Sequence, residues 1–464
     1  MTQKPIRSTV KEMTQGKPSR LILSFAWPLF LSQLFQQLYN TADTLIVGNA
    51  LGTEALAAVS SSGTLIFLMV SFFNGLSMGA GVVIGRYFGA GREDQVSRAI
   101  HTDIAVGLTA GSFLTVAGML LTPTLLTIMN TDPDVMPQAQ EYFFYYFLGS
   151  LALVMYNTLM GIMNALGDSK RPLYYLIISS LINIVLDLFL VGYLKLGVWA
   201  AAIATVLSQA NSCVLCLRHL TRKGQIYTVS FRKIRFHRDM LREILRMGIP
   251  SGVQNSVIAL ANVIVQSQIN VFEKFATAAY GVHSKIEGFA FLPITSFNMA
   301  ITTFISQNLG AGKYQRARSG ARFGILCAVI MAETIGVLYF IFAPSLVSVF
   351  DRTEQVILFG TRQARTASLF YFLLAFSHSI ASVCRGAGKA IVPMFVMLSV
   401  WCVLRVAYIF TVMQLFHEIG YIYAAYPITW CISSIIYGIY YLKSDWVHGF
   451  DAKKPRLKKT GEEA

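Results

Sequence analysis

The segment FGAGREDQVSRA at residues 88–99 has a counterpart 221 residues later, LGAGKYQRARSG at 309–320. The same offset relates NALGDSKRPLY at 164–174 to RGAGKAIVPMF at 385–395. Chance agreement at one constant offset is rare. The sequence therefore predicts an internal repeat, in which the two halves of the 464-residue chain share one fold.

The amino-acid composition is that of a membrane protein. Hydrophobic residues make up 55% of the chain and charged residues only 13%, whereas about a quarter of the residues of a soluble protein are charged. Apolar runs of about 20 residues match a membrane-spanning helix, and a transmembrane barrel would show short alternating segments instead. We therefore predict an all-α polytopic membrane protein.

Twelve apolar windows are long enough to cross a membrane as helices. Six spans return the chain to the side on which it started, so the halves are predicted to be parallel six-helix repeats around a central cavity. The predicted limits are 21–46, 54–80, 95–121, 138–163, 172–192, 197–219, 241–270, 276–305, 316–343, 355–384, 391–414 and 419–442.

The basic residues follow membrane topology. The net charge of +15 suggests nucleic acid at first, but 31 of the 38 Lys and Arg are at the N-terminal segment, the loops after even-numbered spans and the C-terminal tail. Only three are in the loops after odd-numbered spans. This asymmetry predicts a cytoplasmic-membrane protein with both termini in the cytoplasm, and it argues against a nucleic-acid partner.

The charge pattern and the repeat together divide the chain into five parts. The predicted parts are a cytoplasmic N-terminal segment (1–20), an N-lobe (21–219), a basic cytoplasmic linker (220–240), a C-lobe (241–442) and a basic cytoplasmic tail (443–464).

The first span carries a polar stripe. Spacings of three, four and seven residues put its polar side chains on one helix face. A charge at membrane depth costs at least about 2.5–3.5 kcal/mol, so an acid retained there indicates function. The stripe consists of Gln33, Gln36, Gln37, Asn40, Asp43 and Thr44.

Two further spans carry oxygen-bearing groups at a depth similar to that of Asp43. Asn183 and Asp187 are four residues apart on the fifth span, and Thr205 lies about eight residues into the sixth. Two carboxylates, an amide and a hydroxyl suit a proton site or a hard cation such as Na⁺. The alternative is that each Asp only caps a helix or pairs locally.

The second half does not repeat the acids. The first span matches the seventh at an offset of 222, at which Pro28 meets Pro250 and Asp43 meets Val265. Asp187 corresponds to Tyr408 at the offset of 221, although Gln254 and Asn255 keep the seventh span polar. We expect those two side chains to line a substrate cavity, together with Gln33 and Tyr39 of the first span.

The eighth span contains GVHSKIEGF, with His283, Lys285 and Glu287. His283 and Glu287 are i,i+4 neighbours on a helix, and Lys285 could pair with a carboxylate. The group is either a substrate or coupling contact or a structural ion pair. The intramembrane charges Glu333 and Arg405 are either a pair or separate cavity groups.

The sequence lacks the common motifs of nucleotide-binding proteins and hydrolases. RGAGKA lacks the first glycine and the Ser/Thr of a P-loop, and neither H-E-x-x-H nor G-x-S-x-G occurs. We expect no enzyme activity and no cofactor, and an ion gradient as the energy source. A membrane-embedded enzyme is the remote alternative.

The motifs GAGR after the second span, ALGDSKRP after the fourth and NIVLD in the fifth resemble those of the multidrug and toxic compound extrusion (MATE) family. The resemblance covers about residues 20–442. It implies a monomeric antiporter in contact with membrane lipids, which exports lipophilic or cationic drugs and dyes against inward H⁺ or Na⁺. A lipid-linked oligosaccharide flippase of the same superfamily is the nearest alternative.

The resemblance also implies roles for particular residues. The cation site of prokaryotic members falls on Asp43, Asn183, Asp187 and Thr205. A bending proline of the first helix falls on Pro28, and we associate Gln36 and Asn40 with that coupling step. The NorM-type branch carries acids in its seventh and tenth helices, whereas residues 247–271 and 356–384 of this chain contain no Asp or Glu. We therefore place the chain nearer the DinF-like and MepA-like members.

Overall fold

The computed structural model describes residues 13–128, 133–222 and 227–450. Within these ranges the regular structure is helical, and no β-strand occurs in them. Twelve helical rods follow one another, each overlapping one predicted span, and we number them α1 to α12.

The first six rods form the N-terminal half. They are α1 (Pro18–Leu51), α2 (Thr53–Gly89), α3 (Glu93–Ile128), α4 (Met136–Leu148 and Ser150–Ala165), α5 (Lys170–Asp187, continued by a π-helical stretch Leu188–Tyr193) and α6 (Val198–Leu220).

The last six rods form the C-terminal half. They are α7 (Arg238–Ile269), α8 (Lys274–Ala290 and Leu292–Gly310), α9 (Tyr314–Phe350), α10 (Glu354–Ala367, a 3₁₀ turn Ser368–Phe370, then Tyr371–Gly386), α11 (Ile391–Val396, a π-helical stretch Met397–Leu404, then Arg405–Leu415) and α12 (Ile419–Lys443).

The rods agree with the predicted spans in number and order and differ from them in detail. Nine helices in the described ranges are long and apolar enough to cross a membrane, or eleven if α4 and α8 each count as one bent span. The bends are 47° in α4 and 41° in α8. Several rods extend past their predicted ends, because a helix can continue into the water beyond the hydrocarbon. The all-α, twelve-helix prediction is confirmed.

The two halves meet through equivalent helices. α2 packs against α7, and α1 packs against the Leu292–Gly310 part of α8. These two pairs exchange under the predicted twofold relation, which maps α1 onto α7 and α2 onto α8. α2 also packs against α8, a pair that maps onto itself. The contact between the halves therefore has the pattern of a twofold interface.

Glycines of the repeated GAG motif bring the halves into backbone contact. A Cβ added at Gly89 would lie 1.9 Å from the carbonyl oxygen of Gln307, and one at Gly310 would lie 2.0 Å from that of Arg86. Both distances are far inside van der Waals contact, so only glycine fits at either position. The two contacts are the same contact seen from each half, because Arg86 and Gln307 are themselves 221 residues apart.

Farther along α2, Gly79 meets the backbone of Gly248 on α7. A Cβ added at Gly79 would lie 2.3 Å from the Gly248 Cα. Small residues four apart let helices approach closely in a membrane protein, where packing replaces the hydrophobic effect as the driving force.

The N-terminal segment reaches across to the C-terminal half. The Met13 amide donates a hydrogen bond to Gln307 Oε1 (3.0 Å), and Asn308 Nδ2 donates to the Met13 carbonyl (3.1 Å). Gln307 Nε2 also donates to the Ala165 carbonyl at the end of α4 (2.8 Å). The end of α8 is thus held by two separate parts of the N-terminal half.

The linker after α6 docks on α3. The Ser230 amide donates to His101 Nε2 (3.0 Å), and the His237 amide donates to Thr102 Oγ1 (3.2 Å). His101 Nδ1 lies 2.6 Å from the Ser97 carbonyl, so His101 donates through one ring nitrogen and accepts through the other. These bonds fix where α7 begins.

Replacing the motif glycines should weaken the contact between the halves. Gly310→Ala places a methyl group within the van der Waals radius of the Arg86 carbonyl oxygen. We expect the forced backbone shift to lower the free energy of unfolding by about 1–3 kcal/mol. The measurement is the apparent Tm of the purified protein in detergent. Gly281→Ala on α8 is the matched control, because its Cβ would meet nothing within 4 Å. Equal Tm values for the two variants would contradict the packing argument.

Candidate functional site

Asp43 of α1 and Asp187 of α5 come together where the two helices pack. Asp187 is fully buried and Asp43 is 8% exposed. Their carboxyl groups are close enough to interact electrostatically. None of the ion pairs in the described ranges involves either acid. Two like charges this close repel each other unless a proton or a cation neutralises one of them.

The acid pair is surrounded by buried polar atoms that lack hydrogen-bond partners. These atoms are Nδ2 and Oδ1 of Asn183, both carboxylate oxygens of Asp187, Oδ1 of Asp43 and Oε1 of Gln209. More than nine in ten buried polar groups are hydrogen-bonded in proteins. All of these atoms except the Asn183 amide nitrogen are acceptors, and so dense a set of free acceptors needs protons, a small cation or water to complete it.

The chemistry of the donor set limits the occupant. Oxygen ligands suit a hard cation. The described residues contain no group of three or more His, Cys, Asp or Glu that could hold a metal ion. Two carboxylates with neutral amides therefore fit protons or a singly charged cation such as Na⁺.

Tyrosines close the site on the side of α1 and α4. Tyr39, one helical turn before Asp43, is 6% exposed and accepts a hydrogen bond from Gln209 Nε2 (3.1 Å). Tyr142 and Tyr146 of α4 interact electrostatically with Asp43, and their rings stack at a centroid distance of 6.1 Å. Their rings place apolar surface beside the acids.

The helix changes its geometry at the acid. α5 is α-helical through Asp187 and π-helical from Leu188 to Tyr193. A π-turn adds one residue per turn and leaves the backbone hydrogen bonds irregular, which is common at functional sites. α11 of the other half repeats the feature, since its π-helical stretch ends next to the buried Arg405.

Thr205 lies on α6 one turn before Gln209 and is half-buried. Its carbonyl accepts a hydrogen bond from Ser208 Oγ (2.8 Å). The contacts of the described residues join Gln209 to the acid site through Tyr39, and they join Thr205 to neither acid. Thr205 remains a predicted ligand, and Gln209 is an additional group that the structure places there.

The remaining predicted residues of α1 lie in three different environments. Pro28 is buried inside the helix, and its carbonyl accepts a hydrogen bond from Ser32 Oγ (2.9 Å). Gln36 and Asn40 are exposed. Gln33 accepts a hydrogen bond from Thr295 Oγ1 of α8 and therefore contributes to the contact between the halves.

On α7, Gln254 and Asn255 point to different neighbours. Gln254 is 2% exposed and accepts a hydrogen bond from Arg385 on α10 (3.4 Å). Asn255 Nδ2 donates to the Ser71 carbonyl of α2 (3.4 Å), across the two halves. The polar face of α7 thus bonds to protein on both sides.

His283 and Glu287 form a polar cluster in the C-terminal half. His283 Nε2 lies 3.7 Å from Glu287 Oε1, and His283 Nδ1 lies 2.8 Å from the Tyr339 hydroxyl. The Tyr371 hydroxyl donates to Glu287 Oε1 (3.4 Å). Lys285 is exposed, and no ion pair in the described ranges includes it. Glu287 is therefore held by His283 and Tyr371 and not by Lys285.

Glu333 and Arg405 are separate groups. Glu333 accepts a hydrogen bond from the Phe372 amide (3.1 Å). Arg405 is 1% exposed, donates to Thr429 Oγ1 (2.8 Å) and stacks on Trp401 and Tyr426 at 4.8 and 4.6 Å from their ring centroids. A buried guanidinium between aromatic faces is stabilised by cation–π attraction.

The sequence prediction missed the tyrosines of α4 and the aromatic neighbours of Glu287. The run YFFYYF at 142–147 was a usable signal, because three tyrosines in an apolar span each need a hydroxyl partner. Tyr339 and Tyr371 carried no local signal, since they come from two helices that the fold brings beside α8.

Comparison with known proteins agrees with the division of the chain into two similar halves. The MatE family model matches residues 28–189 and again 250–411, once in each half. "Probable multidrug resistance protein YoeA" of Bacillus subtilis (strain 168) is 29% identical over 438 residues, covering 92% of this chain and 94% of that protein. "Probable multidrug resistance protein NorM" of Thermotoga maritima is 23% identical over 451 residues, covering 95% and 96%.

The same fold occurs among solved structures. A MOP superfamily transporter from Pyrococcus furiosus superposes with a TM-score of 0.88 at 22% identity, covering 93% of this chain and 97% of that one. The fold and its repeated halves define a polytopic membrane transporter. The chain belongs to the MatE family, so the predicted family is confirmed, and its named relatives are multidrug resistance proteins.

The bond between Tyr39 and Gln209 should stabilise the N-terminal half. Tyr39→Phe leaves the Gln209 amide buried with no hydroxyl to bond, which should cost about 1–3 kcal/mol. The apparent Tm in detergent measures the loss. Tyr193→Phe is the matched control, because Tyr193 is 78% exposed. If both variants melt with the wild type, the bond does not contribute to stability.

Proposed function

We propose that this chain is a secondary active multidrug exporter, which moves lipophilic or cationic drugs outward against inward H⁺, with Na⁺ as the other candidate ion. The buried acid pair Asp43–Asp187 is the coupling site. The family and the named relatives support drug export. The observation that carries the coupling step is the set of buried, unpartnered oxygens around the two acids.

The coupling follows from the charge of the site. Without an added cation, two adjacent carboxylates in a low-dielectric site repel each other, so the site favours occupancy by a proton or cation. An ion drives a conformational change only if it binds the two conformations with different affinities. Pro28 supplies a point of bending on the same helix as Asp43, because proline removes one backbone hydrogen bond of the helix.

The proposal also covers the location, oligomeric state and cofactor requirement of the exporter. The protein works in the cytoplasmic membrane as a monomer, with both termini in the cytoplasm, and uses no cofactor. The flippase alternative is not favoured, since the named relatives are multidrug resistance proteins.

Drug-induced proton movement tests the coupling site. In energised, everted vesicles in Na⁺-free buffer, a cationic drug should dissipate ΔpH with the wild type. Asp43→Asn and Asp187→Asn should abolish the response, because each removes a charge that the transported ion must neutralise. Glu354→Gln is the matched control, since it removes an exposed acid at the start of α10.

The outcomes separate the candidate mechanisms. A wild type that leaves ΔpH intact but accumulates the drug when a Na⁺ gradient is imposed replaces H⁺ with Na⁺ as the coupling ion. A wild type that is silent with either ion rejects antiport. A full response in both Asn variants rejects the acid pair as the coupling site.

We further propose that Glu287 contacts cationic substrates. Its carboxylate is 18% exposed while His283 and Tyr371 fix its position. Glu287→Gln should weaken the binding of ethidium to the purified protein roughly tenfold or more, the value of one charge-assisted contact. Lys285→Gln should change binding less, because Lys285 is exposed. Fluorescence titration measures both, and equal affinities of wild type and Glu287→Gln would contradict the assignment.

A further inference from the structure

A groove of about 720 Å³ runs along the first turns of α7, where that helix meets α11. One end of the groove is basic and the other is apolar. The basic end carries Arg238, Arg242 and Arg246. The apolar lining comes from Leu241, Leu245, Ile249, Pro250 and Ile391.

The three arginines form one row, and the part of the chain that the structure describes gives it no counter-charge. They are four residues apart, so they lie along one face of the helix, about 12 Å from the first to the last. The neighbouring acids of α7 are engaged elsewhere: Asp239 pairs with Arg98 (2.8 Å) and Glu243 with Arg86 (3.2 Å). None of the ion pairs in the described ranges includes an arginine of the row.

Like charges four residues apart repel each other on a helix. An anion bound along the row would remove that repulsion. The row therefore has the charge and spacing to hold a phosphate-bearing group.

The groove lies at the level where a membrane changes from polar to apolar. α7 is one of the helices apolar enough to cross a membrane. Ile249 is 45% exposed and Ile391 is 44% exposed at the inner end of the groove. The arginines lie at the opposite end of the groove, away from the membrane core, on the side that the charge distribution predicts to be cytoplasmic. A ligand that fills the groove must carry a negative charge at one end and hydrocarbon at the other.

We propose that this groove is a binding site for an anionic phospholipid. The headgroup phosphate lies along Arg238, Arg242 and Arg246, and the first part of an acyl chain packs on Leu245, Ile249 and Ile391. A soluble anion would use the arginines and leave the apolar end empty. A zwitterionic lipid would fill the groove without supplying a net negative charge.

Lipid retention by the purified protein tests the site. The full-length protein is loaded with phosphatidylglycerol or with phosphatidylcholine of the same chains, and lipid adducts are counted by native mass spectrometry. Wild type should retain phosphatidylglycerol in preference. Arg242→Gln/Arg246→Gln should weaken retention roughly thirty-fold, because each basic residue near the surface contributes about fivefold to anionic lipid binding.

Two further variants keep the test informative. Arg92→Gln/Arg222→Gln lowers the net charge equally at exposed positions away from the groove and should bind like the wild type. Arg242→Lys/Arg246→Lys keeps the charge and should retain most of the binding, which separates loss of charge from misfolding.

Three results would overturn the proposal. The first is equal retention of the two lipids by wild type. The second is unchanged retention in the Gln double variant. The third is full competition by millimolar glycerol phosphate, which would assign the arginines to a soluble phosphate and not to a lipid.

Discussion

The close approach of two backbones at the GAG motifs is the constraint on which the rest of the molecule depends. Gly89 and Gly310 admit no side-chain atom beyond hydrogen, and this fixes the distance between α2 and α8. With that distance set, α7 lies against α2, and the two halves face each other across α1, α2, α7 and α8. The cost is conformational, since glycine loses more freedom on folding than any other residue. The gain is a rigid contact in a medium where apolar burial contributes little to helix association.

The acid site is built within one half and is therefore independent of that contact. Asp43, Tyr39, Asp187 and Gln209 all come from α1, α5 and α6, so their arrangement survives a rotation of the halves. The residues that change surroundings in such a rotation are those bonded across the halves, such as Gln33 and Asn255. The proposed coupling would require α1 to transmit the state of Asp43 to Gln33, ten residues earlier on the same helix.

Much of the fold could be predicted from the sequence, because each of its signals is local or repeated. Apolar runs mark the helices and the constant offset marks the halves. The acid pair could also be predicted from the sequence, since Asp43, Asn183 and Asp187 are polar residues in otherwise apolar spans. The breaks in α4 and α10 and the π-helical stretches could not be predicted from the sequence, because they arise from packing between helices. For the same reason the prediction chose Thr205, although the described contacts connect Gln209 to the site, and it considered an ion pair for Lys285, which is exposed.

The reciprocal contact of Arg86 with Gly310 and of Gln307 with Gly89 is what a homodimer interface looks like, where residue i meets j and j meets i. One half of this chain carries a surface complementary to a second copy of itself. Joining two copies into one polypeptide removes the need for both to stay alike. Each position can then change on one side only, as Asp43 and Val265 show. The chain is in effect a dimer in which one subunit holds the buried acid pair, and the other, which lacks it, is free to take up another task.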